Sequence, residues 1–149
     1  MPRHIIMEIN KVIIASDHAG FKLKEYIKKF LLKKRKKVLD LGTQNSKSVD
    51  YPDYAHLLSK KIKNDKKEFG ILVCGSGIGM DMTANKHKNI RAALCYNVKS
   101  TKLSRQHNNA NVMAIGARLT KKNVVLKCVT TFMKTNFEGG RHKKRVKKI

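Results

Sequence analysis

The chain alternates short β-rich apolar runs with longer stretches of helical spacing, and few folds accommodate that alternation. Val12-Ile13-Ile14-Ala15, Val38-Leu39-Asp40-Leu41, Phe69-Gly70-Ile71-Leu72-Val73, Arg91-Ala92-Ala93-Leu94-Cys95 and Val112-Met113-Ala114-Ile115 read as five strands. Over 21–34, apolar residues fall at Phe21, Leu23, Ile27, Phe30 and Leu31 with lysines on the other face, which predicts a helix. Further helices are expected over 54–62, behind an opening turn at Asp50-Tyr51-Pro52-Asp53, and over 78–87, 99–107 and 120–136. The basic stretch 137–149 is expected to be a helical C-terminal segment, and 1–10 a short extension ahead of the first strand. Strands that alternate with helices through short loops predict a five-stranded parallel sheet with helices on both faces, an α/β architecture. No repeat or Pro/Ser-rich linker divides the chain, so 1–149 is expected to form a single domain. In such sheets ligands bind beyond the carboxyl ends of the strands. The loops holding Asp17-His18, Thr43, Cys74 to Gly79, and Asn97 fall there.

Composition narrows the chemistry. A net charge of +24 invites a nucleic-acid reading. The lysines, however, are spread over 22–37, 60–67, 121–127 and the C-terminus, interleaved with expected core positions, and the four Tyr and five Phe offer little base stacking. Solvated lysine-rich faces are the better reading, with no specific nucleic-acid partner, and the charge still attracts anionic substrates. The three cysteines form no CxxC pair and the six histidines no HxxxH pair, so neither a disulfide framework nor a metal is expected. A reducing, cytoplasmic setting is the default for such cysteine usage. No apolar run approaches the roughly 20 residues of a membrane span, and the N-terminal residues lack the apolar core of a signal peptide.

The segment Cys74-Gly75-Ser76-Gly77-Ile78-Gly79 joins the third strand to a helix. Its geometry sets a thiol beside free backbone N–H groups at a helix N-terminus, a place that favours an anion, thiolate included. The segment is not a dinucleotide loop, because Met80 takes the third-glycine place, and no Lys-Ser/Thr follows as in a P-loop. A thiol phosphatase needs a closing Arg, where Met80-Asp81 stands instead. A thiol next to an oxyanion-stabilising nest remains, with an inert core cysteine as the plainer alternative. Asp17-His18 offers a hydroxyl contact and a phosphate donor, although Asp17 is equally suited to helix capping. His107, ahead of Asn108-Asn109, is an acid or base near neutral pH, or simply a histidine placed at a helix C-terminus by the dipole. Arg141 and Arg145 share a helix face and can grip one phosphate; the plain alternative is a generic basic terminus.

Seven ordered blocks together resemble the B-type ribose-5-phosphate isomerases, a family that includes the galactose-6-phosphate isomerase subunits. They are Ser16-Asp17-His18-Ala19-Gly20-Phe21, Asp50-Tyr51-Pro52, Cys74-Gly75-Ser76-Gly77-Ile78-Gly79, Ala84-Asn85-Lys86, Leu103-Ser104-Arg105-Gln106-His107-Asn108, Gly116-Ala117-Arg118 and Glu138-Gly139-Gly140-Arg141-His142. The resemblance runs from about Lys11 to Val146. It implies a three-layer α/β/α Rossmann-like fold, a homodimer or homotetramer with active sites shared between subunits, and cofactor-free, metal-free interconversion of D-ribose 5-phosphate and D-ribulose 5-phosphate. By the resemblance, Cys74 is the base, with Ser76 near it, and the backbone of Gly75, Ser76, Gly77, Ile78 and Gly79 holds the enediolate oxygen. His107 opens the furanose ring, Asp17 and Tyr51 contact the sugar, Asn108 the enediolate, and His18, Arg118, Arg141 and Arg145 the phosphate. Some relatives carry a glutamate later in the glycine loop; Met80 stands in that region here, which leaves the role of base to Cys74. A six-carbon sugar phosphate is the alternative substrate, and a basic nucleic-acid-binding module the alternative of a different class.

Overall fold

A strand that is apolar along its whole length must be covered on both faces, and β3 (Glu68–Cys74) is buried at every position. In the computed structural model, which describes residues 9–63 and 67–149, β3 lies at the centre of a five-stranded sheet of order β2-β1-β3-β5-β4. All pairings are parallel. The other strands are β1 (Lys11–Ser16), β2 (Lys37–Asp40), β4 (Ala92–Leu94) and β5 (Val112–Gly116). Among the described residues six helices accompany them: α1 (Phe21–Lys33), α2 (Tyr51–Lys61), α3 (Ile78–Ala84), α4 (Val98–Gln106), α5 (Lys122–Lys134) and α6 (Arg141–Val146). Apart from Ile9 and Asn10, the extension expected over 1–10 lies outside the described residues.

The period-2 alternation of strand side chains divides the core in two. Phe69, Ile71 and Val73 of β3 pack with Ile27 and Leu31 of α1 and Val129 and Phe132 of α5. Leu72 and Cys74 face the other way, against Ala55 and Leu58 of α2 and Met80 and Ala84 of α3. The result is the three-layer arrangement, and it delivers Cys74 to the carboxyl end of the central strand on the α2/α3 face. The edge strand β2 is fastened by charge. Lys24 of α1 is fully buried, with Nζ 2.7 Å from Asp40 Oδ2, and Lys28 Nζ lies 3.1 Å from the same oxygen. Burial alone would raise the Asp40 carboxyl, but hydrogen bonds from Lys24, the Gly42 N–H and Lys28 outweigh it and hold the group below its ordinary range.

Where elements depart from the sequence expectation, local polar locks are responsible. α2 begins at Tyr51, because Pro52 in the first turn has no N–H to leave unsatisfied. α3 stops at Ala84 instead of reaching His87. The Asn85 amide closes on β4, its Nδ2 donating to the Ala92 carbonyl at 3.0 Å and its Oδ1 accepting from the Ala92 N–H at 2.8 Å. α5 starts at Lys122 and not at Thr120, whose N–H is turned back onto the Gly116 carbonyl. In the C-terminal segment only Arg141–Val146 is helical, since Gly139 and Gly140 take φ of +70° and +54° and interrupt any earlier turn.

Candidate active site

The end of β3 and the loop after it form the floor of an open groove of about 600 Å³. Asp17, His18, Tyr51, Cys74, Gly75, Ser76, Ile78, Gly79 and Arg118 all line it. They come from the loops after β1, β3 and β5 and from the start of α2, the carboxyl-end placement that the alternation predicts. Cys74 is buried, and the Gly77 N–H points at its sulfur at 3.1 Å. Gly77 takes φ +80°, and a Cβ there would stand 2.8 Å from Leu94 and 2.9 Å from the Ile115 carbonyl carbon, so only glycine fits the turn. Ser76 Oγ accepts the Ile78 N–H at 3.2 Å and closes the loop on itself. The loop thus holds an N–H donor against the thiol, the arrangement that a thiolate or a developing oxyanion requires.

The walls are built by close approach to glycine. A Cβ at Gly79 would lie 2.5 Å from Tyr51 Cε2, so the phenol lies across the start of α3. A Cβ at Gly75 would lie 3.0 Å from Arg118 Nη1, and the Arg118 N–H donates to the Gly75 carbonyl at 3.0 Å, which sets the guanidinium beside the loop. Asp17 does not cap α1, whose N-cap is Gly20 with no side-chain cap bond; its Oδ1 accepts the Gly20 N–H at 2.9 Å in the turn ahead of the helix, and the side chain borders the groove. The Val49 N–H donates to His18 Nδ1 at 3.1 Å, which assigns the proton of the neutral ring to Nε2. Val49 gave no signal in the sequence, because a backbone donor carries no side-chain signature.

His107, Asn108, Arg141 and Arg145 are elsewhere. His107 caps the C-terminus of α4, which returns to the amino ends of the strands. Ala110 and Asn111 lead from there into β5, and Val112 pairs with Gly70 while Cys74 pairs with Gly116. Four strand steps of about 3.3 Å each therefore separate the Cys74 level from the start of β5, and His107 lies behind that start. Arg105, in the same motif as His107, is structural: it donates to the carbonyls of Thr135 and Ala110 and lies over the Phe132 ring. Burial pushes its guanidinium down to about 10, with the Arg91 charge adding to the effect.

Around His107 the C-terminal segment makes a second cluster. Glu138 Oε1 lies 3.5 Å from His107 Nε2, and the His142 ring stacks on the His107 ring with centroids 4.2 Å apart at 14°. Loss of hydration, then the charges of His107 and Arg141, lower the His142 pKa, with Glu138 opposing. These three side chains each offer a ligand atom within 4.8 Å of the others. The rings lie face to face, however, so their in-plane lone pairs run side by side and do not converge, which is the geometry of a stack and not of a chelate. Arg141 and Arg145 are exposed on α6 beside this cluster.

Comparison with known proteins agrees with the fold. A profile of the Ribose/Galactose Isomerase family matches residues 12–149. The chain is 38% identical over 141 residues to the ribose-5-phosphate isomerase B of Escherichia coli, covering 95% of each. The solved structure of ribose 5-phosphate isomerase B from Anaplasma phagocytophilum superposes with a TM-score of 0.91 at 44% identity, covering 95% of this chain and 97% of that one. The Mycoplasma genitalium ribose-5-phosphate isomerase B, solved with bound ribulose-5-phosphate, matches with a TM-score of 0.89 at 45% identity over 93% of this chain and 92% of that one. The chain therefore belongs to the ribose/galactose isomerase family.

Proposed function

We propose that the protein interconverts D-ribose 5-phosphate and D-ribulose 5-phosphate through an enediolate, a step of the non-oxidative pentose phosphate branch. The observation that carries this reading is the Gly77 N–H aimed at Cys74 Sγ at 3.1 Å, inside a groove that also holds Asp17, His18, Tyr51 and Arg118. Cys74, as thiolate, takes the proton from C2 of the open aldose and returns it at C1. The N–H groups of the Gly75 to Gly79 loop, beyond those of Gly77 and Ile78 that meet Cys74 Sγ and Ser76 Oγ, stabilise the oxyanion that forms between those events. Hydrogen is redistributed within one molecule, so the reaction calls for no redox cofactor. Asp17 and Tyr51 hold sugar hydroxyls, while His18 and Arg118 approach the phosphate.

Ring opening falls to His107, with Asn108 on the enediolate and Arg141 and Arg145 on the phosphate. Because these residues lie toward the other end of the sheet, they serve the groove of a second copy, in a homodimer or a tetramer built from it. The relative solved with ribulose-5-phosphate supports the substrate class. A coupled assay of ribose 5-phosphate isomerisation, with and without chelator, tests the proposal. Cys74→Ala is expected to lower kcat by about 10²–10⁴, the span of general acid–base catalysis, with its circular dichroism unchanged. Near-normal turnover by the folded variant removes the thiol mechanism, and turnover of galactose 6-phosphate or allose 6-phosphate alone removes the pentose assignment.

A further inference from the structure

We propose that Glu138 and His142 are positioning residues for His107, holding its ring by edge and by face so that Nδ1 is left to act on the sugar. The inference rests on the reading of His107 as the ring-opening group. A histidine at a helix C-cap is free to turn about both side-chain bonds, and this one is 36% exposed at its side chain. Productive proton transfer needs it held.

The segment after α5 is built to hold it. Arg105 Nε donates to the Thr135 carbonyl at 3.0 Å and docks the start of the segment on α4. The Glu138 N–H donates to the Gln106 carbonyl at 3.0 Å, which registers Glu138 one residue from His107. Its carboxylate then lies 3.5 Å from His107 Nε2. Gly139 and Gly140, both at positive φ with open space where a Cβ would stand, reverse the chain. The reversal brings the His142 ring onto the face of His107, 4.2 Å away and nearly parallel. On α6 His142 is 8% exposed while Arg141, Lys143, Lys144 and Arg145 are exposed, so the buried ring is the one that meets His107.

An exposed carboxylate–imidazole pair adds little to stability; its effect is on orientation. With Nε2 beside the Glu138 carboxylate, 3.5 Å away, the nitrogen left to work is Nδ1. Furanose opening breaks the C1–O4 bond, forms the C1 carbonyl, and moves one proton from the anomeric hydroxyl to O4. Nδ1 relays that proton while Nε2 stays on Glu138, and the ring ends as it began.

Turnover measured from the two ends of the reaction tests this. Ribose 5-phosphate is mostly a closed furanose, whereas ribulose 5-phosphate cannot close one, because its C5 oxygen carries the phosphate. Glu138→Gln is expected to lower kcat from ribose 5-phosphate about tenfold to a hundredfold, less than loss of the proton relay itself, with KM unchanged. Turnover from ribulose 5-phosphate should stay within about twofold, since the open aldose leaves and closes in solution. His142→Phe, which keeps a ring to stack, should retain the forward rate that His142→Ala loses. Equal loss in both directions, a change in KM alone, or no loss overturns the inference. His107→Ala, run in parallel, separates it from the reading beneath. If that variant is selective for the closed substrate and Glu138→Gln is not, only the positioning role falls. If His107→Ala shows no selectivity, the ring-opening role falls, and the positioning role with it.

Discussion

Asp81, in the first turn of α3, has one carboxylate oxygen, Oδ1, buried without a hydrogen-bond partner among the described residues. Burial pushes its pKa up from 3.8 to about 6. The folded protein keeps this proton over a pH range in which the unfolded chain has released it. Stability is therefore full below about pH 4 and falls as pH rises through about 6. At about 1.4 kcal/mol per pKa unit, the ionised form destabilises the fold by roughly 2–3 kcal/mol near pH 8. Asp81→Asn should raise the melting temperature at pH 8 and leave it nearly unchanged at pH 4. An equal shift at both pH values in a thermal scan would rule out this account. Sequence spacing placed Cys74, Ser76 and the glycines in the site because their geometry is set by neighbours along the chain. Glu138, 31 positions after His107, gave no such signal, because the two meet only through the docking of α4 against the segment after α5.

At the scale of elements, the junction of α3 and β4 rests on the side chain of Asn85. Its amide pairs with both backbone groups of Ala92 as a neighbouring strand would, and β4 is only three residues long. Asn85→Ala leaves those two groups to water and should cost about 1 kcal/mol, the net worth of a hydrogen bond or two at a partly exposed site. Urea unfolding measures it, and amide exchange should quicken at β4 ahead of the rest of the sheet. A loss below about 0.3 kcal/mol, the usual scatter of a surface substitution, would show the lock to be idle. The same lock explains which boundaries the sequence conveyed. Strand cores were legible because burial on two faces demands an apolar run. The end of α3 was not, since helical spacing continues past Asn85 and a side-chain amide committed to another element leaves no periodic trace. In the C-terminal segment a helix was expected over 137–149, and the positive φ values of Gly139 and Gly140 delay its start to Arg141.

Across the whole molecule, the groove opens at the carboxyl end of the sheet while His107 stands toward its amino end. If the sites are shared between copies as proposed, two variants each impaired on ribose 5-phosphate should therefore rescue one another. Cys74→Ala and His107→Ala, mixed after unfolding and refolding together, form hybrids in which one of two sites holds both native residues. Random pairing would restore about a quarter of wild-type activity, the statistical yield for a two-fold assembly. A mixture as inactive as its components would show that the sites are not shared.

With the sites shared as proposed, the charge of +24 would act in opposite directions on substrate capture and on assembly. It draws a phosphorylated sugar toward the groove, an attraction that dissolved ions weaken. It also sets two strongly cationic copies against each other as they come together, a repulsion that the same ions relieve. Ionic strength thereby becomes a control variable with an optimum. Activity on ribose 5-phosphate is then expected to fall in dilute buffer, where the copies repel one another, and again in concentrated salt, where the attraction for the sugar phosphate is screened.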